Sequence, residues 1–272
     1  MPSEGTAAYS QGHDESVVRT HASRTAESEA GFLLPHLRND MSILDCGCGP
    51  GSITCDFAGI VNQGSVIGID LSPEIIDQAK SLADSRGLRN VTFQPANILE
   101  GLPFSDNTFD VVYCHQFLLH IPEPVRALKE IYRVCKPSGL VACREADLEG
   151  LIIYPMTPGF QKFWDAYCQM VTSNGASMQA GRQVHVWARK AGFDPEKIVK
   201  SSSITLHATQ EKRDLFGGGF MDRLKKSQIR ENLLAAGNSQ ADLDEMSQGI
   251  DQWRTDPDGW GFTPHGEILC TK

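Results

Sequence analysis

The sequence predicts an α/β fold: a doubly wound, mainly parallel sheet with helices on both faces. Three observations predict it. Short apolar runs alternate with amphipathic stretches from Ile43 to Arg144. A glycine-rich turn, Gly47-Cys48-Gly49-Pro50-Gly51, follows the first run directly. Asp45, Asp70, Gln94 and Cys114 each stand at or near the end of a run. Right-handed crossovers bring such ends to one edge of a sheet, where ligands bind.

The elements are expected in this order. Asp14 to Leu37 shows apolar residues at helical spacing, after a polar arm. Ile43–Cys46 is the first strand, and Ser52 to about Ala58 the helix beyond the glycine turn. Ser65–Asp70 is the second strand. Ser72 as N-cap and Pro73 in the first turn open a helix that runs to about Arg86. Val91–Gln94 and Phe109–Cys114 are the third and fourth strands, and Pro124–Val134 is a helix. Lys136–Gly139 reads as a turn and Leu140–Arg144 as the fifth strand. Beyond that lie an aromatic-rich helix (Phe160, Phe163, Trp164, Tyr167), a loop at Ser173–Gly181, and a strand at Ile198–Thr209. Two or three helices over 211–256 and a last strand at Gly261–Thr271 follow. The organisation read from this is one domain in three parts. They are an arm and helix covering the site (1–40), a ligand-binding core (41–150), and helical lid insertions with the last two strands (151–272).

Composition narrows the function. A chain of 272 residues with 40% hydrophobic content is an ordinary globular protein. Its net charge of −9 repels phosphate backbones and argues against nucleic acid as a partner. The basic group Arg223, Lys225, Lys226 and Arg230 reads as a solvated helix face. No apolar run suffices for a membrane span and the N-terminus has no signal-peptide pattern, so a cytoplasmic setting is expected. The eight cysteines are scattered without a C-x-x-C pair; they imply neither a disulfide framework nor a metal site. Cys46 and Cys48 read as small apolar fillers.

The glycine turn carries the chemistry. Glycines let a ligand approach the backbone, and a helix N-terminus beyond offers N–H groups. Nicotinamide, flavin and methyl-donor enzymes all use such a turn. Asp45, two positions before the first glycine, suits a ligand ammonium and repels a pyrophosphate. Gly-x-Gly-Pro-Gly departs from the dinucleotide spacing, and Pro50 removes an N–H that a phosphate would use. Asp70, some 20 residues on, suits two ribose hydroxyls, a feature that does not discriminate between these cofactors.

At this point several motifs, in order, resemble one family. Ile43–Gly51 looks like the first motif of class I S-adenosylmethionine-dependent methyltransferases, and Gly68–Ser72 resembles their ribose motif. Gln94-Pro95-Ala96-Asn97-Ile98 resembles the segment bracketing the adenine, with Asn97 where the family usually has Asp. Leu102-Pro103-Phe104 with Phe109–Val112, and Leu128–Ile131 with Lys136–Leu140, resemble the approaches to strands four and five. The likeness covers about residues 40–145 and is greatest to the ubiquinone/menaquinone-biosynthesis methyltransferase-like group. It implies a Rossmann-like, seven-stranded sheet with the last strand antiparallel, S-adenosyl-L-methionine as cofactor and a small-molecule methyl acceptor. The cofactor residues it implies are Asp45, Gly47, Cys48, Gly49, Asp70, Leu71, Ala96, Asn97, Ile98 and His115, with Tyr9 and Arg24 from the N-terminal segment on the methionine carboxylate.

His115, directly after the fourth strand, has two readings: a general base, or a residue shaping the cofactor pocket. His13, Gln116, Tyr154, Trp164 and His185 are candidates to line the acceptor pocket; the aromatics read equally as the core of the insert. An apolar, aromatic insert favours a flat or lipophilic acceptor of the kind met in secondary metabolism. Against this stand a non-methylating protein that keeps the cofactor fold, regulatory or rearrangement-catalysing, and an NAD-dependent oxidoreductase.

Overall fold

The short apolar runs at Ser42–Cys46 and Phe109–His115 form strands buried on both faces, which rewards close-packed Val and Ile on a pleated surface. A computed structural model describes residues 24–173 and 175–272; Tyr9 and His13 lie outside the described residues. The strands are β1 (Ser42–Cys46), β2 (Ser65–Asp70), β3 (Val91–Pro95), β4 (Phe109–His115), β5 (Cys135–Ala146), β6 (Ile152–Tyr154), β7 (Ile198–Leu206) and β8 (Trp260–Thr271). The helices are α1 (Ala26–Glu29), α2 (Ser52–Ile60), α3 (Pro73–Ser85), α4 (Pro124–Val134), α5 (Pro158–Ser173), α6 (Ala180–Ala191), α7 (Gln210–Arg213), α8 (Gly219–Lys225), α9 (Gln228–Ala235) and α10 (Gln240–Thr255). A π-helical turn, Asp214–Gly218, joins α7 to α8.

The sheet order is β3-β2-β1-β4-β5-β8-β6, with β7 paired to β8. Strands β1 to β5 are parallel, and β8 runs antiparallel to β5 from Leu140↔Thr271 to Ala146↔His265. The last strand is therefore antiparallel, as expected, and the described strands number eight where seven were expected. The addition is β6, three residues pairing antiparallel with the start of β8. Lys136–Gly139, expected as a turn, lies within β5, where Ser138 at φ 63° and a register shift against β4 absorb it.

The chain divides into two compact units. The first comprises residues 24–146, 180–203 and His265–Lys272. It contains β1 to β5 with α1 to α4 and α6. Ser72 caps α3 by accepting from the Ile75 N–H, and Pro73 follows it. The helix expected from Asp14 to Leu37 is, within the described residues, the four-residue α1 followed by a 3₁₀ turn at Leu34–His36. Gly31 and Pro35 fall between and within these, and both disfavour a continuous helix.

The second unit comprises residues 147–179 and 204–264. Its core is aromatic: Phe160, Phe163, Tyr167, Phe220 and Trp253 pack with ring centroids 4.9–5.7 Å apart. Helices α5 and α10 approach closely because Gly159 and Gly249 face each other. A Cβ on Gly159 would lie 2.2 Å from the Glu245 carbonyl oxygen, and one on Gly249 2.4 Å from the Phe160 nitrogen.

Candidate functional site

The turn after β1 folds back on β2. The N–H groups of Gly47 and Cys48 both donate to the Ile69 carbonyl, at 2.8 and 2.9 Å. The Gly49 N–H donates to Asp70 Oδ2 at 3.1 Å, and the Gly51 N–H to the Cys48 carbonyl at 3.1 Å. Pro50 has no N–H. The N–H groups of Gly47, Cys48, Gly49 and Gly51 are thus all committed within the protein, so the turn's own amides do not face a ligand. Gly47, Gly49 and Gly51 sit at φ 75°, 53° and 82°, where L-residues are strained. Space forbids side chains too. A Cβ on Gly47 would lie 2.5 Å from the Phe117 ring, and one on Gly51 2.8 Å from Ala79 Cβ. Gly51, the N-cap of α2, has no side chain to cap the helix that begins at this turn.

Asp45 lies beneath the turn, 3% exposed, and accepts from Thr54 Oγ1 at 2.6 Å. Burial raises its pKa to about 7, against the Thr54 hydrogen bond and with help from the Asp70 charge. Its part at the site is therefore to hold β1 to α2 from inside, and the direct ion pair with a ligand ammonium read from the sequence has no exposed carboxylate to make it. Asp70 ends β2 half-buried, with Oδ1 accepting from the Ser72 N–H at 3.2 Å and Oδ2 from Gly49. Both oxygens keep a second lone pair for a ligand. Beside it Leu71 is 51% exposed, an apolar surface at the strand ends. Ala96 donates to the Asp70 carbonyl at 2.9 Å, which joins the β3 end to the β2 end. Asn97 Oδ1 accepts from the Leu99 N–H at 3.1 Å, its Nδ2 donates to Glu100 at 2.9 Å, and Ile98 is buried. Cys46 and Cys48 are buried, and among the described residues no cluster suits a metal ion.

His115 closes β4 with its ring 6% exposed. Its Nε2 lies 3.1 Å from Glu29 Oε2 and 2.9 Å from an Arg144 guanidinium nitrogen. Arg144 in turn holds Glu29 at 2.5 Å and donates to Ser203 at 3.0 Å, while Glu267 accepts from Ser201 and Ser203 at 2.8 and 2.5 Å. Burial, countered by the Glu29 hydrogen bond, pushes His115 down to about 4. Burial alone would raise Glu29, but its bond to His115 and the charges of Arg144 and Arg24 hold it well below the carboxylate range. A ring so weakly basic, spent on internal partners, is a poor proton acceptor at neutral pH.

Beyond β4 the chain turns sharply. Gln116 takes φ 47°, and its N–H donates to the Arg144 carbonyl at 2.8 Å. The next three N–H groups, of Phe117, Leu118 and Leu119, converge on the Glu145 carboxylate at 3.1, 2.8 and 3.2 Å. Burial raises Glu145 to about 7 against these three bonds. Arg24 donates to Gln116 Oε1 at 2.7 Å.

The first unit therefore brings Arg24, Asp45, the glycines, Asp70, Leu71, Asn97, His115 and Gln116 to the strand ends. His185 is half-buried on α6 of the same unit. Tyr154 and Trp164 belong to the second unit. Tyr154 is 59% exposed on β6, whereas Trp164 is buried against Tyr167 and Phe220. Sequence reasoning missed Phe117, Thr54, Glu29, Arg144 and Glu145. The one local signal was Arg144-Glu145, a charged pair ending an apolar strand.

The residues fit the sulfonium nucleoside that the motifs imply. The glycine turn has no room for a Cβ at Gly47 or Gly51, while the carboxylate of Asp70 and the apolar surface of Leu71 flank it. Comparison with known proteins agrees. A family model described as a methyltransferase domain matches residues 37–194. An uncharacterized methyltransferase of Schizosaccharomyces pombe is 34% identical over 97% of this chain and 96% of its own. A protein of Aspergillus luteorubrus named probable methyltransferase ltbC is 33% identical over 97% of each. The demethylmenaquinone methyltransferase of Lactococcus lactis is 32% identical over 57% of this chain and 59% of its own. Among solved structures, the YcgJ protein of Bacillus subtilis aligns with a TM-score of 0.58 at 16% identity, over 89% of this chain and 97% of that one. A Haemonchus contortus phosphoethanolamine N-methyltransferase in complex with S-adenosylhomocysteine aligns with a TM-score of 0.54 at 21% identity, over 87% of this chain and 49% of that one.

Proposed function

The chain belongs to the S-adenosylmethionine-dependent methyltransferases, and from that premise we propose that it methylates a small, flat aromatic or lipophilic molecule. The observation that carries the cofactor half of this reading is the five-residue glycine turn with every amide committed internally and Asp70 at its flank. The match over 97% of the chain to a protein named methyltransferase leaves the nicotinamide alternative without support.

In this reading Asp70 accepts the two ribose hydroxyls, Leu71 and Ile98 flank the adenine, and Ala96 and Asn97 address its edge. Gly47, Cys48 and Gly49 allow close approach of the amino-acid end, and Asp45 holds the turn from below. The cofactor, when bound, supplies a methyl group on a sulfonium whose leaving group is neutral. The protein's task is then alignment, worth up to roughly 7–11 kcal/mol when the acceptor is held in line. His115 shapes the pocket wall through its contacts with Glu29 and Arg144, and Gln116 and His185 face the acceptor. Arg24 addresses the methionine carboxylate, as does Tyr9.

The finer part of the reading rests on one support. The half-length likeness includes relatives named for demethylmenaquinone. A role in secondary metabolism and a cytoplasmic setting belong to the same reading; no helix among the described residues is long and apolar enough to cross a membrane. The test is incubation of the purified chain with S-adenosylmethionine and a panel of phenols, quinols and aliphatic amines. Formation of S-adenosylhomocysteine with a one-methyl mass gain on the aromatic members is expected. Cofactor binding without turnover on any member, or turnover confined to the amines, would end the proposal.

A further inference from the structure

Gln116 occupies an unusual place. It is a non-glycine residue at φ 47°, directly after β4. The surroundings over-determine that conformation: its N–H is held by the Arg144 carbonyl, and the three amides after it are gathered by the buried Glu145 carboxylate. A left-handed glutamine so firmly held is backbone strain retained at a functional edge. The turn stands beside the glycine loop. Cys46 of β1 is in register with Cys114 of β4, and the Phe117 ring is what a Cβ on Gly47 would strike.

The side chain has a defined polarity. A guanidinium is a donor only, so the atom that Arg24 meets at 2.7 Å must be the carboxamide oxygen. Nε2, with two N–H groups, is then turned away from Arg24. Among the described residues nothing accepts from it, and the residue is only half-buried. The β4 end thus presents an oriented donor with no matching acceptor among the described residues.

We propose that Gln116 is a specificity-determining residue whose Nε2–H groups bind an oxygen of the methyl acceptor. On the aromatic reading above, that oxygen is a phenolate or quinone-type oxygen. This rests on the methyl-transfer reading above and narrows its substrate. A site that places a fixed donor there discriminates strongly against analogues lacking the oxygen, because the donor is left unpaired.

The test uses the full chain loaded with S-adenosylhomocysteine and 4-nitrophenol as probe, read by the phenolate absorbance at neutral pH. Gln116→Glu keeps an oxygen for Arg24 and the size of the side chain while removing the donor; Gln116→Leu removes both. The wild type is expected to bind the probe as phenolate, with its apparent pKa below that of free 4-nitrophenol. Both variants should bind it about tenfold to a hundredfold more weakly, as for a lost hydrogen bond to a charged group. Calorimetric affinity for S-adenosylhomocysteine should fall by less than probe affinity in Gln116→Glu, since Arg24 lies at the cofactor's carboxylate end. Equal probe binding in wild type and variants, or no binding by the wild type, overturns the proposal. Loss of S-adenosylhomocysteine affinity in step with probe affinity also overturns it, since the donor then serves the cofactor. Failure of the wild type to bind S-adenosylhomocysteine at all would instead strike the reading beneath it.

Discussion

Replacing Gly47 by alanine tests the glycine turn against a built-in control, Gly87. Both glycines hold left-handed backbone, at φ 75° and 67°. An L-residue there costs roughly 1–2 kcal/mol in each case, offset by about 0.4–1 kcal/mol from the stiffer unfolded chain. The two sites differ in what a Cβ meets. At Gly87, past the C-terminal end of α3, nothing lies within 4 Å. At Gly47 the Phe117 ring lies 2.5 Å away at Cδ2 and 3.0 Å at Cγ. Rotation of the ring alone does not clear the clash, because the backbone of Phe117 is tied to Glu145 and its own Cβ lies 3.2 Å from the added atom. Overpacking of this kind adds about 1–3 kcal/mol. Gly47→Ala should therefore lower Tm beyond Gly87→Ala by roughly 2–12 °C, at about 2–4 °C per kcal/mol for a chain of this size. Differential scanning calorimetry of both variants checks this, with titration of S-adenosylhomocysteine alongside. Gly47→Ala should also weaken that ligand, since a displaced Phe117 disturbs the turn, whereas Gly87→Ala should leave it untouched. Equal Tm losses with equal affinities would show that Phe117 does not close the turn and would refute the packing argument.

Asp70→Ala should weaken S-adenosylhomocysteine by at least about 1.5–3 kcal/mol, the range for hydrogen bonds to a charged group; unchanged calorimetric affinity would remove Asp70 from the ribose. His207 is buried, stacked on Phe216 at 4.0 Å with Nε2 3.0 Å from Thr263 Oγ1, and burial lowers its pKa to about 4, with the Lys212 charge acting the same way. Its folded pKa lies below the unfolded value of about 6.5, so the stability it contributes is present above pH ~6.5 and lost as pH falls toward 4. His207→Gln should consequently lose less Tm than the wild type between neutral pH and about pH 4; parallel pH profiles would count against a neutral buried ring. Gly159→Ala places a Cβ 2.2 Å from a backbone oxygen and should cost at least the 1–3 kcal/mol of ordinary overpacking; a Tm within a degree or so of wild type would show that α5 and α10 are not held at that distance.

What was legible in the sequence was local. Ser65–Asp70 and Pro124–Val134 carry their own bounds, because an apolar run and an early proline act within a few residues. The family motifs are legible for the same reason: a turn that must follow a strand and open a helix is contiguous in the chain. The N-terminal segment misled because periodicity ignores what Gly31 and Pro35 do to a helix, and Ile152–Tyr154 is too short for alternation to register. Asp45 shows a different limit. Its residue type suggested a ligand contact, but burial, which no local pattern reports, turns the carboxyl toward Thr54.

The polar framework behind the β4 end was beyond reach for a third reason. Glu29 and Arg144 stand 115 residues apart, and Gln116 and Arg24 92. Only the closed sheet, with β4 beside β5 in register Cys114↔Cys143 and His115↔Arg144, brings them together. That placement decides the role of His115. The fold sets the ring between a carboxylate and a guanidinium inside a water-poor layer, so its basicity is spent before any substrate arrives. The same layer leaves Gln116 as a polar group at this edge with an oriented donor that no described residue of the protein uses. Residue types alone leave His115 open between a base and a pocket wall; its internal contacts support the wall, and the proposal above gives the acceptor's oxygen to Gln116.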